Sequence, residues 1–244
     1  MDEQRHYWNE LAQHGKYASV IDPNDRRGCK NAYIIGIRDR VLLDSIRPNG
    51  SLNLILDFGC GTGNIGQLLV AHQQRVIGLD ISDNLLQHAV RHSNEKECLF
   101  LRYDGEAFPL QAESFDFAVC YVVLSHITSD MNLSQVLQQI HRVLKPHGRF
   151  VVIEQTRRRR VDNATKVQRT RGEYCNLFTQ SGFHVTQIED IRSGHFPLIY
   201  LLRLGCIPKR SFPWIAKLDK HYCQLMASPI FDYRDTAFVL ERAA

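Results

Sequence analysis

Between residues 53 and 155 short apolar runs alternate with amphipathic stretches, and this rhythm constrains the chain more than any other feature. "NLILDFG", "RVIGLD", "CLFLRYD", "FDFAVCYVV" and "RFVVIEQ" have strand length and little or no polar face. Between them, "TGNIGQLLVAHQ", "SDNLLQHAVRH" and "NLSQVLQQIHRVLKP" read as helices. Ser82 or Asp83 suits the cap of the second. Leu133, Val136, Leu137, Ile140, Val143 and Leu144 give the third a period near 3.6, and Pro146 with Gly148 should end it. Strands apolar on both sides, separated by helices, predict an α/β fold with a mostly parallel sheet covered on both faces. Ligands of such sheets sit outside the carboxyl ends of the strands. Residues 57–63, 80–81, 104–105 and 120–126 are therefore the informative ones.

The flanks are less regular. Residues 31–47 look helical through Ile34, Ile37, Val41, Leu42 and Ile46. After residue 154 four arginines (157–160) read as a solvated linker, and a helix is expected at 170–181. "FHVTQIEDI" and "DTAFVLERA" look like two late strands joined by no regular crossover, hence antiparallel additions to the sheet edge. Residues 192–233 interrupt them. Within that insertion "PWIAKLDKHYCQLM" is amphipathic, with Trp214, Ile215, Leu218, Tyr222, Leu225 and Met226 on one side and Pro213 in the first turn. The chain thus reads as a single domain, 1–244, with an N-terminal helical lid segment at 1–47 and a substrate-cap insertion at 192–233.

Composition narrows the function classes. The 244 residues carry a net charge of only +4, which does not suggest nucleic acid as a partner. Seven scattered cysteines form no C-x-x-C pair, so free thiols in a reducing cytosol are expected, and no metal site. The polar start lacks the apolar core of a leader peptide. No stretch reaches the roughly 18 apolar residues of a spanning helix. A cytoplasmic protein is expected, in peripheral contact with the inner membrane face if the insertion docks there.

Two nucleotide-binding patterns overlap in "DFGCGTGNIG". Gly59, Gly61 and Gly63 spell G-x-G-x-G; Gly61, Gly63 and Gly66 spell G-x-G-x-x-G, the dinucleotide pattern. A pyrophosphate would bring negative charge to Asp57, at the end of the first strand. S-adenosylmethionine has no phosphate and a cationic amino-acid end, which a carboxylate there can pair with, directly or through water. Gly66 then serves helix–strand packing. Asp80 ends the second strand and can accept both ribose hydroxyls, a feature shared with NAD sites. Asp104 can accept from an adenine amino group, with Ile81 and Gly105 to Ala107 flanking the ring.

"LDFGCGTGNIGQLL", "GLDIS", "YDGEAFPLQAESFDFAVCYVVLSHI" and "IHRVLKPHGRFVVIEQ" resemble the successive motifs of class I S-adenosylmethionine-dependent methyltransferases. The likeness is to their small-molecule branch, which includes quinone and sugar methyltransferases. It covers residues 50–155 and extends more weakly to "YCNLFTQSGFHV". The resemblance implies a Rossmann-like seven-stranded sheet with an antiparallel last strand. It would place Asp57, Gly59, Cys60, Gly61 and Gly63 on the methionyl side and Asp80 at the ribose. Asp104 and Gly105 would lie at the adenine, and Cys120, Tyr121 and Val122 at the sulfonium. A lid of the family's kind would let Tyr17 or Lys30 reach the methionyl carboxylate. His126 is the candidate general base, with His6, His195 and His221 as fallbacks. The expected acceptor is small or lipid-linked, of quinone or sugar type, and methylated at oxygen. The alternatives are an RNA or protein methyltransferase and a non-enzymatic cofactor-binding protein. Three roles stay open for the insertion: substrate cap, peripheral membrane contact or dimer interface.

Overall fold

The computed structural model describes residues 2–12, 22, 25–46, 52–93, 97–225 and 232–243. Five of the apolar runs become parallel strands: β1 (Leu54–Phe58), β2 (Arg75–Asp80), β3 (Cys98–Arg102), β4 (Phe115–Tyr121) and β5 (Leu144–Thr156). A short hairpin, β6 (Val161–Asp162) and β7 (Val167–Gln168), precedes the long strands β8 (Phe183–Ser193) and β9 (Arg234–Arg242). The seven-stranded order is β3-β2-β1-β4-β5-β9-β8. β9 runs antiparallel to both its neighbours, as expected of the last strand.

Residue alternation along the strands feeds two cores. Ile55, Val119 and Val151 face α2 (Cys29–Ile46) and α3 (Asn64–Ala71). Leu56, Ala118 and Val152 face α5 (Asp130–Val143) and α6 (Arg171–Gln180). Helices on both faces explain why the five parallel strands show little polar side. The sheet order reverses where β1 meets both β2 and β4, so a crevice opens at their carboxyl ends.

Four local expectations need correction. Helix α5 ends at Val143, and Leu144 already pairs with Phe115. Pro146, which has no N–H and collides with the preceding turn, falls inside β5 rather than in a helix cap. The arginine run is not a solvated linker. Arg157 donates to Gln168 at 2.7 Å and pairs with Asp232 at 3.1 Å, while Arg160 pairs with Asp130 at 2.7 Å. In α8 (Phe212–Leu225) the buried residues are Ile215, Asp219 and Cys223, and Trp214, Leu218 and Leu225 face outward. Met226 lies outside the described residues. Lastly, the N-terminal segment is not one unit. α1 (Asp2–Leu11) lies against α4 (Asp83–His92), whereas α2 buries Tyr33, Ile37, Leu42 and Ile46 in the sheet-facing core.

Candidate functional site

The chain leaves β1 at Phe58 and turns beneath the end of β2, where the N–H groups of Gly59 and Cys60 donate to the Leu79 carbonyl at 2.8 and 3.0 Å. Gly59 has φ 73°, and a Cβ built on it would lie 2.3 Å from Cγ2 of Val123. Both facts demand glycine and bring two backbones together at the crevice. Gly61 donates to Asp80 Oδ2 at 2.8 Å, and Gly63 caps α3. A Cβ on Gly66 would sit 2.9 Å from Cys98 Sγ, so this glycine seats the helix on the sheet.

Asp80 lines the crevice with Ile81, Leu85 and Tyr103. Its Oδ1 accepts from the Ser82 N–H at 2.9 Å. Burial raises this carboxyl, and the N–H bonds from Ser82, Gly61 and Ile81 offset part of the effect. A carboxylate offers about four lone-pair sites, so at least one remains for a ligand. Ser82 caps α4 through the Leu85 N–H at 3.2 Å and donates to Asn9 of α1 at 2.7 Å. That bond, with Arg5 donating to the Asp104 carbonyl at 3.1 Å, holds α1 beside the crevice, where Gln4 and Trp8 form part of the wall.

Asp57 is buried beneath the glycine loop, and among the described residues neither of its oxygens accepts a hydrogen bond of ordinary geometry. Burial pushes it up to about 7; the Arg38 charge pulls against that shift. Arg38 itself is buried on α2 and lines the crevice. It pairs with Asp39 at 2.6 Å and lies over the Tyr121 ring at 5.4 Å. The opposite wall is Tyr121, Val122 and Val123 at the end of β4. Val122, a β-branched residue at φ 53°, is strained there and donates to Ile153 O at 2.8 Å.

His126 closes a 3-10 turn after β4 and lines the crevice edge-on to Trp8, ring centres 4.9 Å apart. Its Nδ1 lies 3.1 Å from the Thr165 carbonyl. That partner assigns the proton to Nδ1 and leaves Nε2 as an acceptor. Burial, and then the Lys166 charge, depress the imidazole to about 4. Arg169, fully buried, donates to the carbonyls of Leu124 at 3.1 Å and Ile127 at 2.8 Å and so fixes the turn on both sides of His126.

A second cleft adjoins the first, with Tyr121 in the wall of both. Its wall carries Lys30, Arg192 and Arg203 against Asp22 and Asp235. Arg192 and Asp235 form a buried pair at 2.7 Å, and Lys30 meets Asp22 at 2.7 Å. Behind it, Asp219 of α8 accepts from Tyr33 Oη at 3.0 Å and from the Ser193 N–H at 2.8 Å. The insertion is thereby tied to α2 and β8.

The crevice therefore gathers Gly59, Cys60, Gly61, Asp80, Ile81, Tyr121 and His126. Others expected there lie elsewhere. Cys120 is fully buried behind the wall. Asp104 is exposed, accepts from the Glu106 N–H at 2.9 Å, and is held below its usual value chiefly by that bond. Neither Asp104 nor its neighbour Gly105 belongs to the wall, which Tyr103 supplies instead. Lys30 belongs to the second cleft. Tyr17 lies outside the described residues. Reading the sequence missed Arg38 and Arg169. Arg38 alone left a signal: four residues from both Ile34 and Leu42, it puts a charge on an apolar helical stripe.

A mostly parallel open sheet with a glycine-walled crevice at its switch point defines a nucleoside-binding α/β domain. Its buried Asp57 favours a cation, and its close backbone approach at Gly59 leaves room for a ligand where a side chain would intrude. S-adenosylmethionine fits both. Residues 56–152 match the family model described as a methyltransferase domain. The chain is 26% identical over 206 residues to an S-adenosyl-L-methionine-dependent Diels-Alderase of Talaromyces variabilis, covering 74% of this chain and 69% of that one. It is 37% identical over 110 residues to a malonyl-[acyl-carrier protein] O-methyltransferase of Erwinia pyrifoliae, covering 45% of this chain and only 40% of that one. A Haemonchus contortus phosphoethanolamine N-methyltransferase in complex with S-adenosyl-L-methionine shares the fold, with a TM-score of 0.62 at 18% identity over 85% of this chain and 52% of that one. Residues 56–152 form a methyltransferase domain similar to those of the class I S-adenosylmethionine-dependent methyltransferases, and S-adenosylmethionine is the cofactor.

Proposed function

We propose that this protein transfers the methyl group of S-adenosylmethionine to an ionised oxygen, a carboxylate or phenolate, of a small or lipid-linked acceptor held in the second cleft. One observation carries the reading: Tyr121 is common to both clefts, so donor and acceptor would meet across a single side chain. The cofactor supplies a methyl group activated by its sulfonium. Asp80 accepts from the ribose with its remaining lone-pair capacity, and Asp57 provides a negative field for the amino-acid end. Tyr121, packed under Arg38, aligns the acceptor behind the methyl. α1, with Trp8 and Gln4, excludes water as a lid.

The acceptor chemistry follows from proton affinity. A general base works best with a value near the operating pH. An imidazole depressed to about 4 is neutral at pH 7 and a weak base. We therefore assign His126 to hydrogen-bonding and positioning through Nε2, with the acceptor arriving already ionised. Three cations against two carboxylates in the second cleft suit one negative charge. The malonyl O-methyltransferase relative is named for methylation at oxygen, which agrees.

Titration calorimetry with S-adenosylmethionine and with NAD tests the donor; binding of NAD alone would sink it. Release of S-adenosylhomocysteine with a panel of carboxylic acids, phenols and neutral alcohols tests the acceptor. Turnover confined to neutral alcohols overturns the ionised-oxygen reading. Cofactor binding with no turnover at all would leave the chain a cofactor-binding scaffold.

A further inference from the structure

The insertion presents a surface that the methyl-transfer site does not use. On α8, Trp214, Leu218 and Leu225 fall within one narrow stripe of the helix and are 62%, 37% and 68% exposed. The buried residues Ile215, Asp219 and Cys223 occupy the opposite side. α7 (Ile199–Arg203) and the turn after it add Tyr200, Leu201 and Leu204, 67%, 43% and 56% exposed. Monomeric domains rarely leave so much large apolar surface on one feature without a partner for it.

The charge on the same elements has one sign. Arg203, Lys209, Arg210, Lys217 and Lys220 are all exposed. From Gly194 to Leu225 the only acidic residue is Asp219, which is fully buried and bonded to Tyr33 and Ser193. Glu189 of β8 meets Lys220, one of these five cations. A tryptophan and leucines set among lysines and arginines, with no exposed acid, form the pattern of a helix lying in an anionic membrane interface. A second copy of the chain fits poorly, because a two-fold contact would oppose cation to cation. The surface also runs into the second cleft: Tyr200 and Arg203 belong to both.

We propose that the outer face of α7 and α8 docks on an anionic lipid bilayer, with Trp214, Leu218 and Leu225 entering the headgroup boundary and Arg203, Lys209, Arg210 and Lys217 meeting lipid charge. If the second cleft is the acceptor site, as proposed above, docking sets its mouth at the bilayer and the acceptor is a lipid-borne acid or phenol. No helix among the described residues is long and apolar enough to cross a membrane, so docking is peripheral.

The test is co-sedimentation of the full chain with vesicles of phosphatidylcholine, with and without phosphatidylglycerol, and needs no turnover. Binding is expected to the anionic vesicles only and to weaken with salt. Leu218→Glu and Trp214→Glu should each abolish it, while each of Lys209→Gln, Arg210→Gln and Lys217→Gln weakens partitioning about fivefold. S-adenosylmethionine affinity of the same variants, measured by calorimetry, should stay at the wild-type value and so report an intact fold. Absence of vesicle binding, equal binding to neutral vesicles, or unchanged binding by Leu218→Glu overturns the proposal. So does a dimer in sedimentation velocity that Leu218→Glu splits in the absence of vesicle binding. Vesicle binding by a chain that fails to bind S-adenosylmethionine would defeat the methyl-transfer reading and leave docking standing.

Discussion

The two clefts on either side of Tyr121 are built in opposite ways. The first is assembled by short-range devices at the ends of adjacent strands. Gly59, Gly61, Asp80 and Ser82 lie within 24 residues of one another and are locked by backbone N–H groups. The second draws Asp22, Lys30, Arg192 and Asp235 from across the chain and holds them by side-chain ion pairs. A wall of backbone and glycine accepts little change, because the nearest atoms are fixed. A wall of paired side chains can be rewritten one pair at a time without disturbing the sheet. Donor binding and acceptor choice are thereby separated in the molecule, and perturbations should separate them as well.

The largest effect is expected at Asp80. Asp80→Ala should weaken S-adenosylmethionine binding by roughly two orders of magnitude, since a charged hydrogen-bonding group is worth about 1.5–3 kcal/mol. Calorimetry beside a circular-dichroism melt would check that the fold survives; unaltered affinity would remove Asp80 from the donor site. Asp219→Ala comes next. It strands the buried Tyr33 hydroxyl and the Ser193 N–H and should cost about 2 kcal/mol of stability by urea unfolding. It should also raise the acceptor KM with donor affinity unchanged; an equal loss at both clefts would break the comparison.

A third effect is in pH. Burial raises Asp57 to about 7 in the free protein. A cationic ligand lowers it again, so binding ejects a proton and donor affinity should climb about tenfold between roughly pH 6 and 8. Calorimetry in buffers of different ionisation heat counts that proton, and a flat profile in Asp57→Asn would assign it. The smallest effects belong to Lys30 and His126. Lys30→Ala should change donor affinity less than about twofold while moving the acceptor KM, because Lys30 faces Asp22 in the second cleft. His126→Gln should keep kcat within about tenfold; a steeper loss would restore a proton-transfer role.

How much of this was legible follows the same divide. The β1–α3–β2 turn announced itself because its constraints are local: a positive φ at Gly59, a packing gap at Gly66 and a strand-end carboxylate at Asp80 each demand a particular residue type at a particular spacing. Arg169 left no sign, since a buried guanidinium that clamps two carbonyls from 42 and 45 residues away has no sequence pattern. The inward side of α8 was misread for a related reason. Periodicity marks an apolar stripe but does not say whether that stripe meets the core or the solvent. Here the polar Asp219 turns inward because Tyr33 and Ser193 satisfy it, and Trp214 is left outside.

The sequence by itself determined the α/β sheet, the place of the glycine loop and the donor it admits. Those depend on side-chain period and on conformations that few residue types tolerate. Only the tertiary structure decided the rest: that Asp104 and Cys120 stand off the crevice wall, that Arg38 enters it, that Lys30 serves another cleft, and that α8 shows its tryptophan to the outside. Each of those outcomes turns on which distant groups satisfy a charge or cover an apolar surface, and such pairings form only when the chain closes on itself.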